Sequence, residues 1–169
     1  MCGICGELRF DGSPADTSAV ARMSDKIARR GPDHAGIFSD GALAVGHRRL
    51  AIIDLSADGD QPMVDRELKL VLVFNGTIYN SRELRAELVA MGYRFFSESD
   101  SEVILKAYHA WGADCVQRFF GMFAFAIWDQ RDASLFIARD RFGIKPLYYA
   151  LDGSRLRFEI GRASCRERV

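Results

Sequence analysis

The chain begins Met1-Cys2-Gly3-Ile4-Cys5-Gly6, and its second residue carries reactive chemistry. Removal of the initiator methionine would leave Cys2 holding a thiol and a free α-amine. The reference pKa of such an amine is about 7.7–8.0 and that of a thiol about 8.5, so both groups titrate near neutrality. The amine can take the thiol proton, directly or through one water, and leave a nucleophilic thiolate. Nucleophile and base then come from a single residue. The four cysteines, Cys2, Cys5, Cys115 and Cys165, do not have the spacing of a disulfide framework. Cys2-Gly3-Ile4-Cys5 is a C-x-x-C, which also admits a redox pair or half of a zinc site. The zinc reading lacks a second pair of ligands. A redox pair normally opens a helix, whereas this one leads into strand-like Glu7-Leu8-Arg9-Phe10. Cys5 reads as a small buried residue.

The elements that would position Cys2 follow from periodicity. Ile4 to Phe10 reads as a strand tying the reactive residue to a sheet, and Asp11-Gly12-Ser13-Pro14 as a turn. A helix is predicted from Thr17 to Arg29, with Val20, Met23 and Ile27 on one face, ending before Gly31-Pro32. Short strands are predicted at Ala35–Ser39, Leu43–His47 and Leu50–Ile53. Leu70–Phe74 reads as a strand buried on both faces that runs into an Asn75-Gly76 turn. Asn80 with Glu83, and Ser99 with Glu102, look like capping boxes opening two helices. Leu84, Leu88 and Met91 form the apolar face of the first, with Gly92 after it. Ile104, Tyr108 and Trp111 share a face of the second, which Gly112 ends. A helical turn follows near Ala113–Phe119. Met122–Trp128 and Ser134–Ala138 read as paired strands, and Leu147–Leu151 with Leu156–Phe158 as a hairpin across Asp152-Gly153. The class is α+β, with two sheets packed face to face and helices outside.

Composition sets bounds. A chain of 169 residues is large enough for one domain burying roughly 70% of its unfolded surface. With 49% hydrophobic and 27% charged residues and zero formal net charge, nothing favours a nucleic-acid or membrane partner. There is no 18-residue apolar run and no signal-peptide pattern at the N-terminus, and a cytoplasmic location is expected. The segment Ile160-Gly161-Arg162-Ala163-Ser164-Cys165-Arg166-Glu167-Arg168-Val169 matches one translated frame of a common sequencing adapter. Residues 1–159 are read as the native domain and 160–169 as an adapter-derived tail.

Six motifs occur in order: Met1-Cys2-Gly3-Ile4-Cys5-Gly6, Arg30-Gly31-Pro32-Asp33, Gly46-His47-Arg48-Arg49-Leu50-Ala51-Ile52-Ile53-Asp54, Phe74-Asn75-Gly76-Thr77-Ile78-Tyr79-Asn80, Ser99-Asp100-Ser101-Glu102, and Ala138 to Tyr149 with Arg139-Asp140 and Gly143-Ile144-Lys145-Pro146-Leu147. Together they resemble the class II glutamine amidotransferase domain of the asparagine synthetase family. The resemblance implies an N-terminal nucleophile hydrolase fold, a four-layer αββα sandwich with two antiparallel sheets. It also implies hydrolysis of L-glutamine to glutamate and ammonia. Cys2 would attack the amide carbon through a thioester. Asn75 and the backbone N–H of Gly76 would hold the oxyanion, a role worth about 10²–10³ in turnover per donor. Arg49 would take the substrate carboxylate, Asp100 its ammonium, and backbone groups of Leu50, Ile52 and Ile53 would line the pocket. His34, His47 and His109 are expected to be structural.

One position departs from the family pattern. Thr77 stands where the family commonly has Glu, so ammonium recognition falls more heavily on Asp100. The chain also carries no Ser-Gly-Gly-x-Asp-Ser pyrophosphate loop and no G-x-x-x-x-G-K-[ST]. It is therefore expected to need no cofactor or metal. ATP and Mg are expected only in a C-terminal synthetase domain, a missing partner towards which Arg141–Tyr149 would lie. A homodimer of the full-length protein is compatible with this. The Asn-Gly-Thr-Ile-Tyr-Asn stretch is similar to the branch that amidates N-acetylglutaminylglutamine, with aspartate the other candidate acceptor. The alternative to an active glutaminase is a folded, inactive module lacking the partner contacts that order its site.

Overall fold

The computed structural model describes residues 1–52 and 54–160. Within them lie nine strands and three α-helices: β1 Gly3–Arg9, α1 Thr17–Lys26, β2 His34–Asp40, β3 Leu43–Arg49, β4 Met63–Asp65, β5 Leu70–Ile78, α2 Ser81–Ala90, α3 Asp100–Trp111, β6 Gly121–Asp129, β7 Ser134–Arg139, β8 Tyr148–Asp152 and β9 Arg155–Glu159. Five strands form one sheet in the order β2-β3-β1-β9-β8, and four form a second in the order β4-β5-β6-β7. Every neighbouring pair is antiparallel.

The packing has four layers because each sheet buries both faces. Ile4, Leu43, Val45 and Phe158 of the first sheet meet Val71, Val73, Ala124, Ala126 and Trp128 of the second in the inter-sheet core. Cys5 and Ala44, on the outer face of the first sheet, pack against Val20, Met23 and Ile27 of the α1 segment. Leu70, Leu72, Phe74, Phe125 and Ile127 cover the second sheet's outer face under Leu84 and Leu88 of α2 and Val103, Ile104 and Leu105 of α3. Alternation along a strand sends successive side chains to opposite faces. Hence Val71 and Val73 point between the sheets while Leu70, Leu72 and Phe74 point to the helices. No helix among the described residues is long and apolar enough to cross a membrane.

Several local expectations give way. Asn75-Gly76 is not a turn: β5 continues through it to Ile78, paired with Gly121–Phe123 of β6. Gly76 lies at φ +155°, and a Cβ there would come within 2.1 Å of the Met122 carbonyl oxygen and 2.7 Å of Phe123 Cα. The glycine is imposed by close approach of the neighbouring backbone, which a turn signal cannot distinguish. Leu50–Ile52 is not a strand, since β3 ends at Arg49. Helix α1 stops at Lys26, and a separate 3-10 turn spans Ala28–Arg30.

The Asn80 capping box does not form. The Asn80 side chain donates to the Arg118 carbonyl at 2.9 Å and accepts from the Phe120 N–H at 2.9 Å, fastening α2 to the start of β6. Ser99 does cap α3, accepting from the Ser101 N–H, but Glu102 turns to the N–H groups of Phe96 and Ser97. Met91 is exposed rather than on the buried face of α2.

Of residues 160–169, Ile160 is described. It is buried in the inter-sheet core, and its N–H donates to the Ile4 carbonyl at 3.1 Å. Residues 161–169, the rest of the segment read from the sequence as a tail, lie outside the described residues.

Gly76→Ala is expected to lower folding stability by about 3 kcal/mol or more, because strand β6 cannot withdraw without breaking its pairing. Urea unfolding measures this, and a midpoint equal to the parent's would show that the strands separate freely here.

Candidate active site

The inter-sheet layer is apolar along most of its length and polar at one end. There β1 begins, and β3 and β5 end. On β3, Leu43 and Val45 face the second sheet, and the same alternation continues through buried His47 to Arg49. On β5, Val71 and Val73 are followed on the same face by Asn75 and Thr77. Cys2, one residue before β1, continues the face that bears Ile4. Of these, Cys2, Arg49, Asn75 and Thr77 line one cavity of about 180 Å3 together with Met1, Leu50, Ala51, Ile52, Asp54, Ser99, Asp100 and Lys145.

The C-x-x-C is divided by the same geometry. Residues three apart on a strand face opposite ways, so Cys2 looks into the cavity while Cys5 packs beneath α1. Burial pushes the Cys5 thiol up to about 12. Both cysteines are free thiols.

Cys2 Sγ lies 3.4 Å from the Leu50 N–H, which donates to it, and 3.6 Å from the Leu50 carbonyl. The departure of the chain from β3 after Arg49 makes that contact possible. Arg30 fixes the other side: its Nε donates to the Cys2 carbonyl at 3.2 Å, and its own carbonyl accepts from the Met1 amine at 3.1 Å. Asp33 accepts from the Ala51 N–H at 2.8 Å and holds the segment that Cys2 touches. The Arg30-Gly31-Pro32-Asp33 motif was visible in the sequence, but the roles of its two charges were not. Nor was Gln61, which accepts from the Phe74 N–H at 2.6 Å and donates to Ser101 Oγ at 3.1 Å. It ties β5 to the first turn of α3 beneath the cavity.

Asn75 is 2% exposed, and its Nδ2 amide has no hydrogen-bond partner among the described residues. A buried donor left unpaired costs about 1–3 kcal/mol, so its place in a cavity wall points to a ligand acceptor. Asp100 is 5% exposed and accepts from the Ile78 N–H at 3.0 Å. Burial raises its carboxyl to about 6 despite the backbone N–H groups that oppose this. Thr77 lines the cavity between Asn75 and Asp100's backbone partner.

Arg49 reaches the cavity, but its guanidinium is occupied. It pairs with Asp60 at 2.5 Å and donates to the Ser56 carbonyl at 2.7 Å and to the Asp54 carbonyl. An incoming carboxylate would have to share that fork with Asp60. Ile52 lines the cavity and its side chain is largely exposed. Ile53 lies outside the described residues. The histidines stand apart from the thiol: His47 is buried with Nε2 3.1 Å from the Phe74 carbonyl, and burial pushes it down to about 3. His34 faces Asp60 at 3.6 Å, and His109 pairs with the Tyr93 hydroxyl at 2.7 Å.

Comparison with known proteins places this arrangement. Residues 1–164 match the glutamine amidotransferase domain. The chain belongs to that family. It is 40% identical to "Asparagine synthetase [glutamine-hydrolyzing] 3" of Bacillus subtilis, over 94% of this chain and 26% of that protein. It is 41% identical to "Asparagine synthetase [glutamine-hydrolyzing] 1" of Arabidopsis thaliana, over 91% of this chain and 26% of that one. The chain thus spans about a quarter of the length of these relatives. Its fold resembles that of the glutamine phosphoribosylpyrophosphate amidotransferase of B. subtilis, complexed with ADP and GMP, with a TM-score of 0.80 at 21% identity. That match covers 96% of this chain and 42% of the other. The N-terminal nucleophile hydrolase architecture expected from the motifs is the one observed.

The Asp100 carboxyl yields a prediction of definite sign. Its folded pKa, about 6, lies above the ordinary aspartate value of 3.8, so the folded state binds the proton more tightly. Stability therefore falls as pH rises from about 4 to 6, and the full penalty, about 3 kcal/mol, applies above pH 6. Asp100→Asn should stabilise the domain by up to that amount at pH 7.5 and by little at pH 4. Thermal unfolding at the two pH values checks it; equal gains at both would rule out the carboxyl as the cause.

Proposed function

We propose that this chain is the glutaminase half of a glutamine-dependent amidotransferase, hydrolysing the side-chain amide of L-glutamine to glutamate and ammonia. The observation that carries this reading is the pairing of Cys2 with the unpartnered, buried amide of Asn75 in one cavity. A thiol attacking an amide carbon creates an oxyanion, and fixed donors in a dry site stabilise it without reorganising.

The roles follow from that chemistry. With Met1 removed, the α-amine of Cys2 takes the thiol proton, and the thiolate adds to the amide carbon. Asn75 Nδ2 and the Gly76 N–H donate to the oxyanion. Its collapse breaks the C–N bond, and the α-ammonium returns the proton to the leaving nitrogen as ammonia departs. Water, deprotonated by the same amine, then cleaves the thioester to glutamate. Asp100, assisted by the Thr77 hydroxyl, receives the substrate ammonium, and Arg49 receives the carboxylate as Asp60 shares or yields its fork. Backbone groups of Leu50, Ile52 and Ile53 complete the pocket. These steps use thiol, amine and water. ATP and Mg belong to the activation of an acceptor carboxylate, which would take place in the missing synthetase domain. The acceptor would be aspartate or N-acetylglutaminylglutamine.

One observation favours an inactive state of the unprocessed chain: Met1 itself lines the cavity, and its peptide bond occupies the Cys2 nitrogen. Intact-mass measurement before and after processing, with glutamate release from glutamine, tests the proposal. The processed chain should release glutamate, and Cys2→Ala and the Met1-bearing chain should not. Release by Cys2→Ala at the parent rate would refute it. The Asp100 role predicts that KM for glutamine rises as pH falls through about 6, since the protonated acid no longer pairs with an ammonium. Asp100→Asn should carry the raised KM at every pH.

A further inference from the structure

Lys145 is a side-chain cation in the cavity for which the scheme above has no use. It is 5% exposed, and among the described residues its Nζ makes no ion-pair contact with a carboxylate, although Asp140 acts on it through space. Its hydrogen-bonding contact is the Met1 sulfur at 3.0 Å. A buried ammonium without a counter-ion is costly, and a thioether is a weak acceptor. Processing would remove even that.

The turn bearing Lys145 is built to hold it there. Asp140 Oδ2 accepts from the Lys145 N–H at 3.0 Å and from the Phe123 N–H at 3.2 Å, while Oδ1 accepts from the Ile144 N–H at 2.9 Å. The Asp140 N–H returns a bond to the Phe123 carbonyl at 2.8 Å. Phe123 is the β6 residue paired with Gly76. The lysine is therefore fixed through one residue to the strand beside the proposed oxyanion donors. The charged and titratable groups facing Nζ are Arg30 from the turn after α1, Cys2 from the N-terminus and Asp140 from its own turn. Arg49, Asp54 and Asp100 lie elsewhere on the cavity wall. Burial, then Arg30, lowers the Lys145 pKa from its usual range, whereas Cys2 and Asp140 raise it.

We propose that Lys145 is a positioning residue for the nucleophile: its ammonium is the fixed counter-charge that favours the Cys2 thiolate once Met1 is gone. This rests on the reading of Cys2 as nucleophile. Asp140 supplies the aim through backbone N–H groups, its carboxylate making no ion-pair contact with the ammonium.

The test is alkylation of Cys2 by iodoacetamide as a function of pH, on chains whose loss of Met1 is confirmed by mass. Peptide mass resolves Cys2 from the other cysteines, and Cys5 and Cys115 have thiols pushed up to about 12. In Lys145→Met and Lys145→Gln the midpoint should rise by about one pH unit, slowing Cys2 alkylation at pH 7 about tenfold. Lys145→Arg should keep the parent midpoint. Thermal unfolding of Lys145→Met should match or exceed the parent, since a lone buried charge has been removed. An unchanged midpoint in a folded neutral variant would overturn the proposal, as would an Arg variant that shifts as far as Met. Failure of both neutral variants to fold would also overturn it, by making the charge a requirement of folding. Alkylation does not need glutamine turnover. A shifted midpoint in a chain that releases no glutamate would refute the proposed function and leave this inference standing.

Discussion

The layer between the two sheets is the constraint on which the site depends. β1, β3 and β5 each turn alternate residues into it, and the apolar members of those alternations seal it. At one end the same faces carry Cys2, Arg49, Asn75 and Thr77, which line the cavity together. A register slip of one residue on β5 would send Asn75 to the helix-covered face and could bring Phe74 into the cavity in its place. The core and the site are thus one periodic pattern, apolar along its length and polar where the strands run out.

Placing polar groups at the end of a dry layer leaves some of them unsatisfied. Among the described residues the Asn75 amide lacks an acceptor, and the hydrogen-bonding contact of the Lys145 ammonium is a thioether sulfur. Asp100 is held in a place that favours its neutral form. Each would be better solvated elsewhere, and their convergence on one cavity separates this region from the buried pairs that serve the fold. Lys106 with Asp65, for comparison, is a matched pair at 2.5 Å under α3, with Glu102 nearby at 3.8 Å. Arg49 stands between the two kinds, lining the cavity but already paired with Asp60.

Backbone geometry supplies the rest. Gly76 allows β5 and β6 to approach closely beside Asn75. The end of β3 at Arg49 releases Leu50 to meet the thiol, and Arg30 and Asp33 hold the two segments that converge there. The Asp140 turn does the same for Lys145, through three backbone N–H groups. Short-range side-chain-to-backbone bonds of this kind set positions that strands alone would not.

Local pattern determined much of this protein. The apolar run at Leu70–Phe74, the helical period at Val20, Met23 and Ile27, and the Asp152-Gly153 hairpin all read correctly, because burial and turn chemistry leave a periodic trace in neighbouring residues. The six ordered motifs named the family and the candidate residues. Tertiary structure alone decided four things. It extended β5 through Asn75-Gly76, because pairing with β6 overrides a local turn preference. It gave Arg49 a partner in Asp60, and it made Gln61 a brace and Lys145 a wall of the cavity. Those contacts join residues far apart along the chain, and the electrostatic cost of a buried group depends on what surrounds it in space. No local period of the sequence records either.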